Sequence, residues 1–287
     1  MHTCPDCLPC ILKQVNNVAA EAKATPDQLR EMLVQASAML PGLDLSMSPA
    51  HNSTIALRLV PRITGVADPY REKKHESNRL ALELFPAMER LVAESGEPLR
   101  TAALVAAAGN VIDLAIQGNK HQELEQVLKT VIEEGFAVDH FERFRKALAG
   151  ARNILYLGDN AGEVVFDREF ARLLGGEGRQ VTFAVHGGPI LNDALMADAN
   201  EAGLPGVVRV VSTGSDWIGL ELESCSPGFR ELFSGADLVV AKGHGNYETV
   251  AEMDSAPRET YFILRAKCAS VASLLGVRLG QVVFRHK

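Results

Sequence analysis

The sequence predicts an α/β protein: an all-helical region over residues 1–149, then a three-layer, mainly parallel sheet over residues 150–287. Three observations carry this. Before Gly150 no segment alternates with period two, while apolar residues recur at helical spacing. After Gly150 short β-rich apolar runs alternate with helical ones, the rhythm that builds parallel sheets through crossover helices. Polar residues gather just after those runs, where open Rossmann-like sheets place their ligands. The change at Gly150 is a shift of composition without a linker, so the two parts are expected to pack tightly.

Each element has a local reason. Apolar spacing predicts a helix over 8–22. Thr25-Pro26-Asp27-Gln28 is an N-cap with proline at the first helical position, opening a helix over 29–40. Ser48-Pro49 repeats the signal and opens a helix to 60, and Asp68-Pro69-Tyr70 opens a long one to 95. The Ala-rich stretch 99–116 ends near Gly118, and helices over 122–134 and 140–148 complete the first half. Strands follow at 154–157, 181–185, 207–211, 238–241, 262–264 and 282–284. The helices between them are expected at 163–174, 192–202, 227–233, 247–253 and 266–275.

Of 287 residues, 47% are hydrophobic and 23% charged, the balance of a globular chain with a sizeable core. The net charge of −7 and the lack of a dense Lys/Arg cluster argue against nucleic acid and anionic membrane surfaces. No apolar run approaches ~18 residues, so no membrane span is expected. The N-terminus lacks the charged-then-apolar order of a signal peptide. The expected compartment is the cytoplasm, with the five cysteines reduced.

Three polar clusters sit at strand ends. After the first strand come Gly158-Asp159-Asn160-Ala161-Gly162-Glu163, with Asp167 downstream. Asp159 or Asn160 alone is better explained by a helix cap worth ~1 kcal/mol. Four oxygen-bearing residues within nine positions point instead to a hard divalent cation. After the second strand comes His186-Gly187-Gly188-Pro189-Ile190-Leu191-Asn192-Asp193, with Asp193 expected at the start of the next helix, either a cap or a second carboxylate on the same cation. After the fourth strand comes Lys242-Gly243-His244-Gly245-Asn246-Tyr247-Glu248, where a lysine on an apolar approach suits a phosphate. Ser212 and Thr213 form a polar turn that offers hydroxyls to the same anion or simply turns the chain. Trp217 just beyond suits a pocket wall or the core equally. No Walker loop and no Gly-x-Gly-x-x-Gly is present, which disfavours kinase and dinucleotide chemistry.

These motifs, in this order, resemble the metal-dependent damage-control phosphatases, once catalogued as domain of unknown function 89. The likeness extends to Asp68-Pro69-Tyr70 with Lys74 and Asn78, to Gly109-Asn110 with Ile112-Asp113, and to Cys4-x-x-Cys7, which looks like the prokaryotic CxxC subgroup. The resemblance implies a helical region packed on a Rossmann-like domain. It implies a Mn²⁺, Mg²⁺, Ni²⁺ or Co²⁺ ion held by Asp159, Asn160 and Asp193, with Lys242 on the substrate phosphate. The substrate class it implies is phosphate monoesters of small metabolites, sugar phosphates or damaged phosphometabolites. Glu163, Asn246 and Glu248, with Asn78, Asn110 and Asp113 from the helical side, are the further expected substrate contacts. An ion-activated water or Asp159 itself is the attacking group; no Asp-x-Asp follows the first strand, which weighs against the aspartyl route.

The cysteines need separate weighing. Cys4, Cys7 and Cys10 fall within seven residues, which fits inward packing, a second soft-metal site or a redox pair. No second CxxC completes a zinc site. A non-enzymatic thiol or metal-binding protein is therefore the alternative function. A Rossmann-like methyltransferase fits poorly, because His186 stands where that fold needs an acid at the end of the second strand.

Overall fold

The computed structural model describes residues 1–112 and 121–287, and the side chains of all of these except 110–112, 121–125 and 127. Its sheet has six strands: β1 (Asn153–Leu157), β2 (Gln180–Val185), β3 (Arg209–Ser212), β4 (Leu238–Lys242), β5 (Thr260–Arg265) and β6 (Val282–His286). They lie in the order β3-β2-β1-β4-β5-β6, parallel except that β6 runs antiparallel to β5. The expected mainly parallel α/β sheet is therefore present. The chain moves outward from β1 to β3, then returns to β4 on the other side of β1. That reversal opens a crevice at the carboxyl ends of β1 and β4, the place where such sheets bind ligands. Both faces are covered, so β4 is buried at every position and reads as a continuous apolar run.

The helices before the sheet are α1 (Cys7–Glu21), α2 (Pro26–Met39), α3 (Pro49–Leu57), α4 (Leu59–Thr64), α5 (Arg71–Ala93), α6 (Pro98–Ile112), α7 (His121–Glu134) and α8 (Phe141–Gly150). Those between strands are α9 (Glu163–Leu174), α10 (Met196–Glu201), α11 (Pro227–Ser234), α12 (Gly243–Val250) and α13 (Ala269–Leu275). Thr25 is the N-cap expected of α2 and forms a capping box with Gln28, and Ser48 accepts from the His51 N–H to start α3. The single helix expected to 60 is two, divided at Arg58. Pro61 explains the break, since it has no N–H for the Leu57 carbonyl and its ring crowds that turn. Three later helices start away from their expected positions, among them α13, expected from 266 and beginning at Ala269. The 192–195 stretch pairs with neighbouring loops, so α10 begins only at Met196, and Asp193 lies before the helix. The α12 helix starts directly at Gly243, off the end of β4.

Three cores result. One sheet face, with Tyr156, Phe183, Tyr261 and Phe284, packs against Leu84, Met88, Phe144 and Phe170 of α5, α8 and α9 and the alanines of α6. This core runs without interruption across residue 150. The other face, with Leu155, Val239 and Phe262, packs against Phe229, Tyr247 and Val271 of α11–α13. Each such buried side chain contributes about 1.5–3 kcal/mol. The third core belongs to α1–α4: Ile11, Val15, Met32, Leu57 and Val60 meet Ile190, Leu191 and Ile218 from loops beyond β2 and β3. These four helices thus form a cap over the carboxyl edge of the sheet. Among the described residues no helix is long and apolar enough to cross a membrane.

Candidate functional site

The site begins where β1 ends. Gly158 presses on β2, since a Cβ there would stand 2.7 Å from the Phe183 ring. The turn then reaches Gly162, whose φ of +79° favours glycine and whose N–H donates to Asn78 Oδ1 at 2.6 Å. The loop after β2 lies alongside. Ala161 donates to the Asn192 carbonyl at 2.9 Å, Ala194 donates to the Asp159 carbonyl at 2.8 Å, and Asn160 and Asp193 form an antiparallel bridge. Main-chain bonds therefore zip the two loops together and set Asp159, Asn160 and Asp193 side by side, all buried.

The electrostatics of this floor are unbalanced. Burial, then the charges of Glu163 and Asp193, push the Asp159 carboxyl well above the usual carboxylate range, against the pull of Lys267 and Lys242. Asn160 Nδ2 donates to Asp159 Oδ2 at 3.1 Å and to Glu163 Oε1 at 2.8 Å. His186 Nε2 lies 3.2 Å from Asp193 Oδ2, and burial pushes the imidazole down to about 4, so it meets Asp193 as a neutral ring. Gly243, at φ +81°, lets α12 close on Asp159; a Cβ there would fall 1.8 Å from Oδ2. Crowded carboxylate and amide oxygens with excess negative charge fit a hard divalent cation that keeps part of its coordination for water or substrate. Among the described residues no group of three or more His, Cys, Asp or Glu is placed to hold a metal, so an ion here would need the Asn160 amide beside the two carboxylates.

A cavity of about 370 Å³ opens above this floor. Asp159, Asn160 and Asp193 form its base. His244 and Glu248 of α12 stand on one wall, Pro49 and Ser53 of α3 on another, and Cys7 and Cys10 of α1 at the rim. His244 Nδ1 lies 3.6 Å from Glu248 Oε1.

Other expected residues lie elsewhere. Lys242 is fully buried beneath the turn and does not line the cavity. Its Nζ donates to Asp167 Oδ1 at 2.6 Å and lies 3.5 Å from Glu163 Oε2. Burial works against its charge, but Asp167 and Glu163 hold it above its ordinary value. Asp167 also accepts from the Tyr156 hydroxyl at 2.8 Å. Asn246 Nδ2 donates to the Gly158 and Lys242 carbonyls, at 3.0 and 2.8 Å, tying α12 to the end of β1. Asn78 Nδ2 bonds Asp198 and Glu201 at 2.9 Å each, so this side chain links α5, α10 and the turn after β1. Ser212 and Thr213 lie outside the cavity lining, where their hydroxyls accept from Gly214 and Ser215 within their own turn. Trp217 packs on His51 and Arg58, also away from the lining. The Asn110 side chain and Asp113 lie outside the described residues.

Two features escaped the sequence reading. Lys267, exposed just beyond β5, lines the cavity mouth together with Cys268. The signal was present, because Lys267 follows a buried strand as the other site residues do, but a helix drawn from 266 concealed the loop. The second is that Cys7 and Cys10 overlook the same cavity as Asp159, although about 150 residues separate them in the chain.

Comparison with known proteins agrees with this architecture. The family model for the damage-control phosphatase ARMT1-like domain matches residues 3–283. A damage-control phosphatase of Archaeoglobus fulgidus is 33% identical, with 98% of this chain and 96% of that protein covered. An uncharacterised protein of Methanocaldococcus jannaschii is 34% identical, over 97% of this chain and 93% of its own. The crystal structure of a DUF89 family protein from Pyrococcus horikoshii superposes with a TM-score of 0.92 at 30% identity, all of both chains being covered. The chain belongs to the damage-control phosphatase ARMT1-like family.

Proposed function

We propose that this chain is a metal-dependent phosphatase that hydrolyses phosphate monoesters of small metabolites, sugar phosphates or damaged phosphometabolites among them. The observation that carries the reading is the zipped pair of loops, which sets Asp159, Asn160 and Asp193 at the base of one cavity at the sheet's switch point. A volume of about 370 Å³ suits a small molecule and not a macromolecular substrate.

In this reading Asp159, Asn160 and Asp193 hold a Mn²⁺, Mg²⁺, Ni²⁺ or Co²⁺ ion, which when bound offsets phosphoryl charge and acidifies a water. Water attacks phosphorus and the alcohol leaves. The neutral His186 ring fixes the Asp193 carboxylate. Lys267 at the mouth supplies the positive charge that draws in a phosphate dianion. Lys242, though buried, keeps positive potential beneath Asp159 and Glu163. Glu248 and His244 stand where the non-phosphate part of the substrate would lie.

The test is hydrolysis of p-nitrophenyl phosphate and a sugar-phosphate panel with each divalent ion added to metal-stripped protein. Activity should depend on the ion and vanish in Asp159→Ala. Full turnover in chelator, or in that variant, rejects the proposal.

A further inference from the structure

Hydrolysis at Asp159 has no use for a thiol, yet Cys7, Cys10 and Cys268 all line the cavity. Cys4 joins them, its Sγ lying 3.4 Å from Cys7 Sγ and 3.2 Å from Ser270 Oγ. The first turn of α1 sets this pair, since the Cys7 N–H donates to the Cys4 carbonyl at 2.9 Å. A disulfide needs the two sulfurs at about 2.05 Å, and here they already stand in contact. The two thiols are chemically unequal. The Ser270 hydroxyl, followed by Cys7 and nearby backbone N–H groups, holds Cys4 below its ordinary value. Burial pushes Cys7 up to about 12. Both are partly exposed, and one thiol disposed to ionise beside one held in its protonated form is the division between attacking and resolving cysteine. A soft-metal site is less well served, for among the described residues no three ligating side chains are placed to hold an ion.

Ser270 links this pair to the substrate side. It stands in the first turn of α13, directly after the loop 266–268 that carries Lys267 and Cys268 at the mouth. Two contacts brace that loop and the helix start it leads into: Cys4 on Ser270, and the Lys267 N–H on His244 Nε2 at 3.2 Å.

We propose that Cys4 and Cys7 are a reversible oxidation site, closing to a disulfide by exchange with a low-molecular-weight disulfide, and that closure releases Ser270 and loosens the loop that holds Lys267 over the cavity. The Cys4 thiolate attacks one sulfur of the small disulfide, forming a mixed disulfide. The first small thiolate departs and takes up the proton that Cys4 shed. Cys7 then loses its proton as it attacks the Cys4 sulfur, and the second small thiol leaves with that proton. Two protein thiols are oxidised and one small disulfide is reduced to two thiols. The oxidation step stands on the thiols alone; its effect on substrate rests on the phosphatase reading.

The experiment equilibrates the full chain in glutathione redox buffers and maps its disulfides by peptide mass. The expected result is a Cys4–Cys7 bond reversed by dithiothreitol, with Cys7→Ser trapping glutathione on Cys4 and Cys4→Ser leaving Cys7 unmodified. Failure of that bond to form, or equal trapping on either cysteine, overturns the assignment. With Mn²⁺ and p-nitrophenyl phosphate, oxidation should raise KM several-fold with less effect on kcat, and this response should be lost in Cys4→Ser. An unchanged KM in the oxidised protein overturns the coupling. If neither redox state hydrolyses phosphate, the phosphatase reading fails separately, and Cys268 alkylation then decides the coupling. Oxidation should speed that alkylation, and equal rates in the two states overturn the link to the loop.

Discussion

The floor and the rim of the cavity are built on opposite plans. The floor presents oxygen donors from the loops after β1 and β2, buried and joined by main-chain hydrogen bonds. The rim presents thiols from α1 and from the loop after β5, partly exposed and joined by side-chain contacts such as Cys4 to Ser270. The floor is set by the fold itself; the rim is set by how a separate cap rests on it. Substitutions in the floor should therefore act on the chemistry and on folding, and those at the rim on access and reactivity.

Five measurements press on that contrast. The largest effect belongs to Asp159→Ala, expected to lower kcat/KM about 10⁴-fold, ~5.5 kcal/mol of transition-state stabilisation, while the urea midpoint stays near wild type or rises as crowded negative charge is relieved. An equal loss of stability would mean that Asp159 is a structural carboxylate. Next is Asp167→Ala, which takes from the fully buried Lys242 its hydrogen-bonded partner and leaves it only the more distant Glu163. It should cost about 3–5 kcal/mol, and the double variant Asp167→Leu/Lys242→Met should recover most of that. Third, Gly243→Ala places a methyl 1.8 Å from Asp159 Oδ2 at a left-handed φ. Turnover should fall about 10²-fold through displacement of that carboxylate, and wild-type kinetics here would refute the close approach. Fourth, His186→Gln tests the buried neutral ring. Its folded value of about 4 lies below the ordinary 6.5, so the unfolded chain binds more protons between these values. Wild-type stability, measured against the variant, is fully present above pH 6.5 and is lost as pH falls towards 4, with a slope of at most about 1.4 kcal/mol per pH unit. The smallest effect is at the rim: at pH 8 iodoacetamide should alkylate Cys4 about tenfold or more faster than Cys7, because burial disfavours the Cys7 thiolate.

What the sequence disclosed divides along the same line. Runs such as 238–241 are apolar because both sheet faces are covered, so strands and strand ends were legible. With them came Asp159, Asn160 and Asp193 as neighbours of one crevice. The backbone pairing that draws Asp193 away from its helix left no trace in residue type, since main-chain bonds are available to almost any side chain. The partner of Lys242 was half visible: Glu163 and Asp167 stand one turn apart on α9, but only the register of β4 against β1 shows that they answer its charge from beneath. The position of α1–α4 could not be read, because the apolar stripe of an amphipathic helix shows that it packs and not on what. The thiols therefore looked like a site of their own, and the fold places them on the cavity of another.

The bond pair between Ala161 and Asn192 and between Ala194 and Asp159 has a consequence for how such a protein can change over time. Because peptide groups, and not side chains, hold the spacing of the donors, the surrounding walls are free to vary without retuning that spacing. Residues such as Ser53, His244, Glu248 or Lys267 can be exchanged to admit a different metabolite while the hydrolytic base stays in register. The zipped loops act as a fixed chuck into which evolution can fit different tools.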